Sequence, residues 1–208
     1  DEAWETATNG LIAALKANNI DYVVNEGDGA FYGPKIDFHL EDSLGRTWQC
    51  GTIQLDMQMP ERFDLEYTAA DGSKKRPVMI HRVCFGSIER FIGILIEHFA
   101  GAFPTWLSPV QAKVLSISEK YEEYAQKVAG ELSAAGIRVE TDLRAEKIGY
   151  KIREARNERI PYIIVVGEKD LEAGKVSVRT RAGGDEGQKD LAEVISRMKK
   201  EIETRENN

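Results

Sequence analysis

"MIHRVCFGSIERFIGILIEHFAG", residues 79–101, joins an alternating run, a Gly-Ser turn and the most apolar stretch of the chain. The alternation predicts a strand, and the apolar spacing from Ser87 to Phe99 predicts a helix. Ser87 stands where a helix cap belongs, and the free N–H groups of a first helical turn favour an anion. Arg90 falls inside that turn, where its charge opposes the helix dipole. A bound phosphate accounts for it, and so does a neighbouring carboxylate such as Glu89 or Glu97. His81 reads as a core histidine or as a metal ligand. No Cys/His pair stands at zinc-finger spacing, so a metal site would need ligands from elsewhere. His39 and His98 lack supporting neighbours and read as structural.

Towards the N-terminus, residues 3–17 place Leu11, Ile12 and Leu15 at helical spacing. "DYVVNEG", "KIDFHLED", "TWQCGTIQLDM" and "FDLEYTAADGSKKRPVMIHRV" follow, broken by Gly, Asp-Gly and Ser-Leu-Gly turns, which predicts an antiparallel sheet with a hairpin turn at Asp71–Lys75. In "QCGTIQLD" strict alternation puts Gln49, Gly51 and Ile53 on one face and Cys50, Thr52 and Gln54 on the other. The two glutamines share a face only through a bulge, which Gly51 permits. Tyr32 and Lys35 lie where a strand begins. A solvated sheet with polar side chains explains the same pattern.

Towards the C-terminus, "GAFPTWLSPVQ" is the best linker candidate. Beyond it, strands "AKVLSIS", "RVETDL", "YIIVVG" and "KVSVRTR" alternate with helices "YEEYAQKVAGELSAAG", "EKIGYKIREARNE" and "DLAEVISRMKKEI", and the last two strands suit an antiparallel hairpin. The expected organisation is α+β over residues 1–102, then α/β with a mixed sheet over 103–208. Arg144, Lys147 and Lys151 fall three and four apart, a basic stripe if helical. Asp170 and Arg179, beside and within the hairpin, suit the edges of unstacked RNA bases. A solvated helix face balanced by Glu146, Glu154 and Glu158 is the alternative.

The 208 residues, 42% hydrophobic and 30% charged, match a globular protein of one large or two small domains. Residues 1–100 carry 9 Lys and Arg against 16 Asp and Glu, whereas 101–208 carry 19 of each. The net charge of −7 argues against indiscriminate phosphate binding, yet the neutral second half can still hold a local basic face. The longest apolar run, residues 91–96, is too short to cross a bilayer. Two cysteines without CxxC spacing point to a reducing, cytoplasmic setting, and no signal-like segment opens the chain.

"GAFYGPKIDF", "WQCGTIQLDM", "MIHRVCFGSIERFIGILIEHFAG" and "FPTWLSPVQ" together resemble the C-terminal half of bacterial threonyl-tRNA synthetases, over essentially the whole chain. The resemblance implies a class II catalytic sheet with its motif 3 helix, followed by an anticodon-binding domain. It implies Arg90 on the ATP γ-phosphate, Gln49 by the ribose, Thr52 and Ser87 at ATP, and Lys35 near the carboxylate and α-phosphate. It also implies Tyr32 and Gln54 around L-threonine, and His81 as one ligand of a Cys-His-His zinc site. "TDLRAEKIGYKIREARNERIPYIIVVGEKDLEAGKVSVRTR" resembles the anticodon-binding domain, with Arg144, Lys147, Asp170 and Arg179 as contacts. Ala145 stands where the family commonly has Asn. The implied partners are tRNA(Thr), ATP with Mg2+, and L-threonine, in a homodimeric full-length enzyme. The other zinc ligands and the motif 2 arginine of the family lie upstream of Asp1, so this chain alone is expected to be inactive. A prolyl, histidyl or glycyl enzyme, and a non-catalytic tRNA-binding protein built from these modules, are the alternatives.

Overall fold

The computed structural model describes residues 2–207, and the chain divides into two compact units between His98 and Phe99. The first unit opens with α1 (Glu2–Ala17), whose Ala7, Leu11 and Leu15 recur every fourth residue and are buried. Asn19 ends the helix with a positive φ of 53°, and the Ile20 N–H reaches back to Leu15 O at 3.0 Å. Asn tolerates this left-handed closing turn better than most residues.

Strands β1 (Lys35–Glu41) and β2 (Thr47–Asp56) form an antiparallel pair, followed by the short helix α2 (Gln58–Arg62). The two-residue strands β3 (Tyr67–Thr68) and β4 (Lys74–Lys75) flank the expected Asp71 turn, which Asp71 closes by accepting from Ser73 N and Oγ. Strand β5 (Met79–Val83) completes a sheet of order β1-β2-β5, and α3 (Ile88–His98) follows. "DYVVNEG" forms no strand: Val23 and Val24 are 93% and 62% exposed. β-branched residues favour a pleated surface, but a strand needs a neighbour, and the sheet has none for this run.

The second unit contains β6 (Ala112–Ser116), α4 (Glu122–Ala134), β7 (Val139–Asp142), α5 (Ile148–Asn157), β8 (Tyr162–Val166), α6 (Glu168–Ala173), β9 (Val176–Thr180), β10 (Gly184–Lys189) and α7 (Leu191–Thr204). Its sheet has the order β10-β9-β8-β6-β7. β6 runs parallel to β7 and β8, while β8-β9 and β9-β10 are antiparallel, so the sheet is mixed. α6 separates β8 from β9, so these two strands are antiparallel neighbours without a tight turn; β9 makes its hairpin with β10. "GDEGQK" has no apolar residue to announce a strand, which is why alternation misses β10.

Every residue of β8 is buried. Its even-numbered residues pack with α4 and α7 (Val128, Leu132, Val194, Met198), and Ile163 and Val165 pack with α5 (Ile148, Ile152, Ala155). Helices therefore cover both faces, which explains the unbroken apolar run. The expected linker is held to this unit: Thr105 Oγ1 donates to Glu201, Gln111 Nε2 to Thr105 O, and Arg138 to the carbonyls of Trp106, Ser108 and Pro109.

Candidate functional site

In the first unit Phe38 pairs with Gly51 but His39 with Gln49, leaving Cys50 as an extra residue on β2. This bulge reverses the alternation and brings Gln49 to the face of Thr52 and Gln54. The register then builds a polar row: Lys35 lies opposite Gln54, which lies opposite His81, and Asp37 lies opposite Thr52. Tyr32 joins it by donating its hydroxyl to Gln54 Oε1 at 2.7 Å. Gly33 makes that approach possible, because a Cβ there would stand 1.8 Å from Leu55 O.

Asp37 binds two members of the row, Lys35 Nζ at 2.6 Å and Gln49 Nε2 at 2.7 Å. Burial pushes its carboxyl up, but the bonds led by Lys35 outweigh that and hold it below the usual range. The same bond from Asp37 raises the Lys35 ammonium, so Lys35 and Asp37 stand as an ion pair within the row at neutral pH. At its end, His81 Nε2 lies 2.8 Å from Asp56 Oδ2. Burial of Asp56 disfavours its charge, yet the Met59 N–H and His81 lead the bonds that keep it ionised.

The turn before α3 sits against the bulge: Gly86, at φ +63°, would place a Cβ 3.2 Å from Cys50 O. Ser87 caps α3 weakly, accepting the Arg90 N–H at 3.4 Å while donating to Glu89 at 3.0 Å. Arg90 is exposed, and its guanidinium has no hydrogen-bond or ion-pair partner among the described residues. Both carboxylates offered by local spacing are engaged elsewhere, Glu89 with Ser87 and Glu97 with Arg46. An unpaired cation at a helix start is electrostatically unfavourable by itself and well suited to an incoming anion.

In the second unit Arg144 binds Asp142 and Glu154, and its guanidinium lies 5.9 Å from the centre of the Tyr150 ring. Arg153 approaches the same ring at 5.4 Å. Lys147 is the exposed N-cap residue of α5. Lys151 does not extend this basic surface: it is 1% exposed, with Nζ donating to Ser116 O at 2.9 Å and Asp142 O at 3.2 Å. Helical spacing aligned the three cations; packing turns the third one inward. Tyr150 and Arg153 escaped the sequence reading, although an aromatic followed three residues later by Arg was the available signal.

Arg179 lies opposite Ile163, on the sheet face that α5 covers, and pairs with Asp185 of β10. Asp170 is 4% exposed and accepts from Gly167 N, Ser177 Oγ and Gln188 Nε2. These bonds tie the start of α6 to β9 and β10, a folding role that leaves little of the carboxylate for a base edge. Ala145 is exposed in the loop between Arg144 and Lys147.

No group of three or more His, Cys, Asp or Glu residues among the described residues is arranged to hold a metal. No described helix is long and apolar enough to cross a membrane.

Residues 3–99 match the class II tRNA synthetase core domain of the G, H, P, S and T enzymes, and residues 111–201 match the anticodon binding domain. The chain thus joins a class II tRNA synthetase core region to an anticodon-binding domain. It is 64% identical over 202 residues to a threonine–tRNA ligase of Clostridium acetobutylicum and 65% identical over 205 to that of Caldanaerobacter subterraneus. Those matches cover 97% and 99% of this chain and 32% of each relative. Among solved structures, the RNA binding domain of threonyl-tRNA synthetase from Cryptosporidium parvum aligns with a TM-score of 0.86 at 45% identity, covering 96% of this chain and 50% of that one. The chain belongs to the threonine–tRNA ligase family and spans about a third of the length of these relatives.

Proposed function

We propose that the first unit supplies one side of an active site that joins L-threonine to ATP, and that the second unit reads the anticodon of tRNA(Thr). The observation that carries this reading is the row Lys35–Gln54–His81, in register across three strands with Tyr32 bonded to its centre. Tyr32 and Gln54 surround threonine, and the Lys35 ammonium faces its carboxylate and the α-phosphate of ATP with Mg2+. Gln49 and Thr52 flank the nucleotide, and Ser87 and Arg90 meet the outer phosphates at the start of α3. These groups move no proton; they orient the reactants and stabilise charge that develops at phosphorus.

His81 fits a zinc ion as one ligand, since one ring nitrogen is held by a carboxylate and the other makes no hydrogen bond among the described residues. When bound, the ion would offer coordination to the amino and hydroxyl groups of threonine, and valine, which has the amino group but no hydroxyl, would leave the second position unfilled. In the second unit Arg144, Lys147 and Arg179, joined by Tyr150 and Arg153, form the RNA surface. Asp170 supports it from within. A homodimeric full-length enzyme is the expected assembly.

The test is threonine-dependent pyrophosphate exchange by the full-length protein carrying this chain. Arg90→Ala should cost about 2–4 kcal/mol of transition-state stabilisation, and Arg90→Lys should restore only part of it. A rate within about twofold of wild type, under ~0.5 kcal/mol, would remove the phosphate role.

A further inference from the structure

We propose that Asp56 is the positioning residue for His81, its carboxylate accepting the Nε2–H so that Nδ1 presents its lone pair to a divalent metal ion. This deepens, and rests on, the assignment of His81 as a zinc ligand.

Asp56 is 1% exposed, and its two oxygens divide their work. Oδ1 accepts the N–H groups of Gln58 and Met59 at 3.0 and 2.9 Å, which fixes the carboxylate to the backbone where α2 begins. Oδ2 is thereby aimed at His81 Nε2, 2.8 Å away. A helix-capping role accounts for the Oδ1 bonds alone, since capping needs only one oxygen. The register places Asp56 and Gln54 on the same face of β2 as His81 on β5, so the orienting group, the histidine and the threonine-facing glutamine share one surface.

Neutral imidazole has one donor and one acceptor, and a carboxylate can only accept. Nε2 therefore carries the proton. The Tyr32 ring, 5.6 Å from the imidazole and tilted 58° to it, closes one side of the ring. His81 is 40% exposed, so its free edge remains open to solvent. Metal-ligating histidines commonly give their second N–H to a carboxylate, which fixes both tautomer and ring orientation.

Asp56→Asn is the informative variant. Its amide oxygen can still accept from Gln58 and Met59, but its amide nitrogen then donates towards Nε2. That drives the proton onto Nδ1, the nitrogen the metal requires. Zinc affinity, measured by chelator competition on the full-length protein carrying this chain, should fall about 10- to 100-fold. The cobalt(II)-substituted protein should show an altered d–d spectrum, while the melting temperature of the metal-free protein stays unchanged. His81→Ala should abolish zinc binding. Retained zinc in His81→Ala would overturn the ligand assignment itself. Lost zinc there, with wild-type affinity and cobalt spectrum in Asp56→Asn, would overturn the role of Asp56 alone. If Asp56→Asn does not fold, histidine-selective 15N NMR of the metal-free wild type decides. A His81 proton on Nε2 supports the proposal, and one on Nδ1 ends it.

Discussion

The two units are of similar length and unlike in their interiors. Among the described residues, Ala7, Leu11, Leu15 and Cys50, with Pro34 and Pro60, are the buried apolar side chains of the first unit, whereas the second has helices packed on both faces of a five-stranded sheet. α3, the most apolar helix by sequence, has no buried residue, and Ile88, Ile92 and Ile96 are 58%, 47% and 47% exposed. Apolar character and burial are thus separate properties. A helix or sheet buries its apolar face only where another layer lies against it. The second unit carries its covering layers in this chain; the first presents a polar row on its sheet and leaves the apolar residues of α3 uncovered.

The sharpest way to break that contrast is to express the units separately. Residues 99–208 should unfold in one cooperative transition by calorimetry, and residues 1–98 should show none. A cooperative transition in the first unit would contradict the burial difference. Single substitutions refine it. Ile164→Ala, at 0% exposure, should destabilise the second unit by about 2–5 kcal/mol in denaturant titrations. Ile92→Ala should stay within about 0.5 kcal/mol, as surface changes do.

Lys151 tests whether an interior cation belongs to the fold or to RNA binding. Lys151→Ala should cost about 1–3 kcal/mol, because it strands the carbonyls of Ser116 and Asp142. Lys147→Ala should leave stability unchanged and weaken all tRNAs about equally in filter binding, with a smaller salt dependence. Arg179→Ala should instead reduce discrimination among anticodon stem-loops.

The smallest effect concerns acid. Arg144, followed by burial that works the other way, sets Asp142 below its usual carboxyl range. A depressed folded-state value contributes stability above the unfolded value, about 3.9 for Asp, and that contribution is lost as pH falls through the folded value. Asp142→Asn should therefore flatten part of the acid limb of the second unit's stability curve and change nothing below it. An unchanged acid limb would show that the exposed Arg144 contributes no net stabilisation there.

Much of this was readable from residue order. Strand–turn–helix punctuation placed β1, β2, β5 and α3, because Gly, Ser and Asp-Gly mark turns by their backbone preferences. Gly51 marked the bulge that unites Gln49 with Gln54, because a bulge is a local event. β10 escaped, since "GDEGQK" pairs through backbone bonds to β9 that leave no apolar trace. The partner of His81 escaped as well: Asp56 is 25 residues away in sequence and is brought near only by the pairing of β2 with β5.

By itself the sequence determined the order and type of most elements, the change of grammar near residue 100, and the residue types available for phosphate, metal and RNA contacts. These depend on local periodicity and turn chemistry. Tertiary structure alone decided which of those residues are free to act. It left Arg90 unpaired by engaging Glu97 with Arg46, turned Lys151 inward while Lys147 stayed exposed, and enclosed Asp170 among its own donors. The physical reason is that a charged side chain is defined by what surrounds it, and those surroundings come from residues distant in sequence.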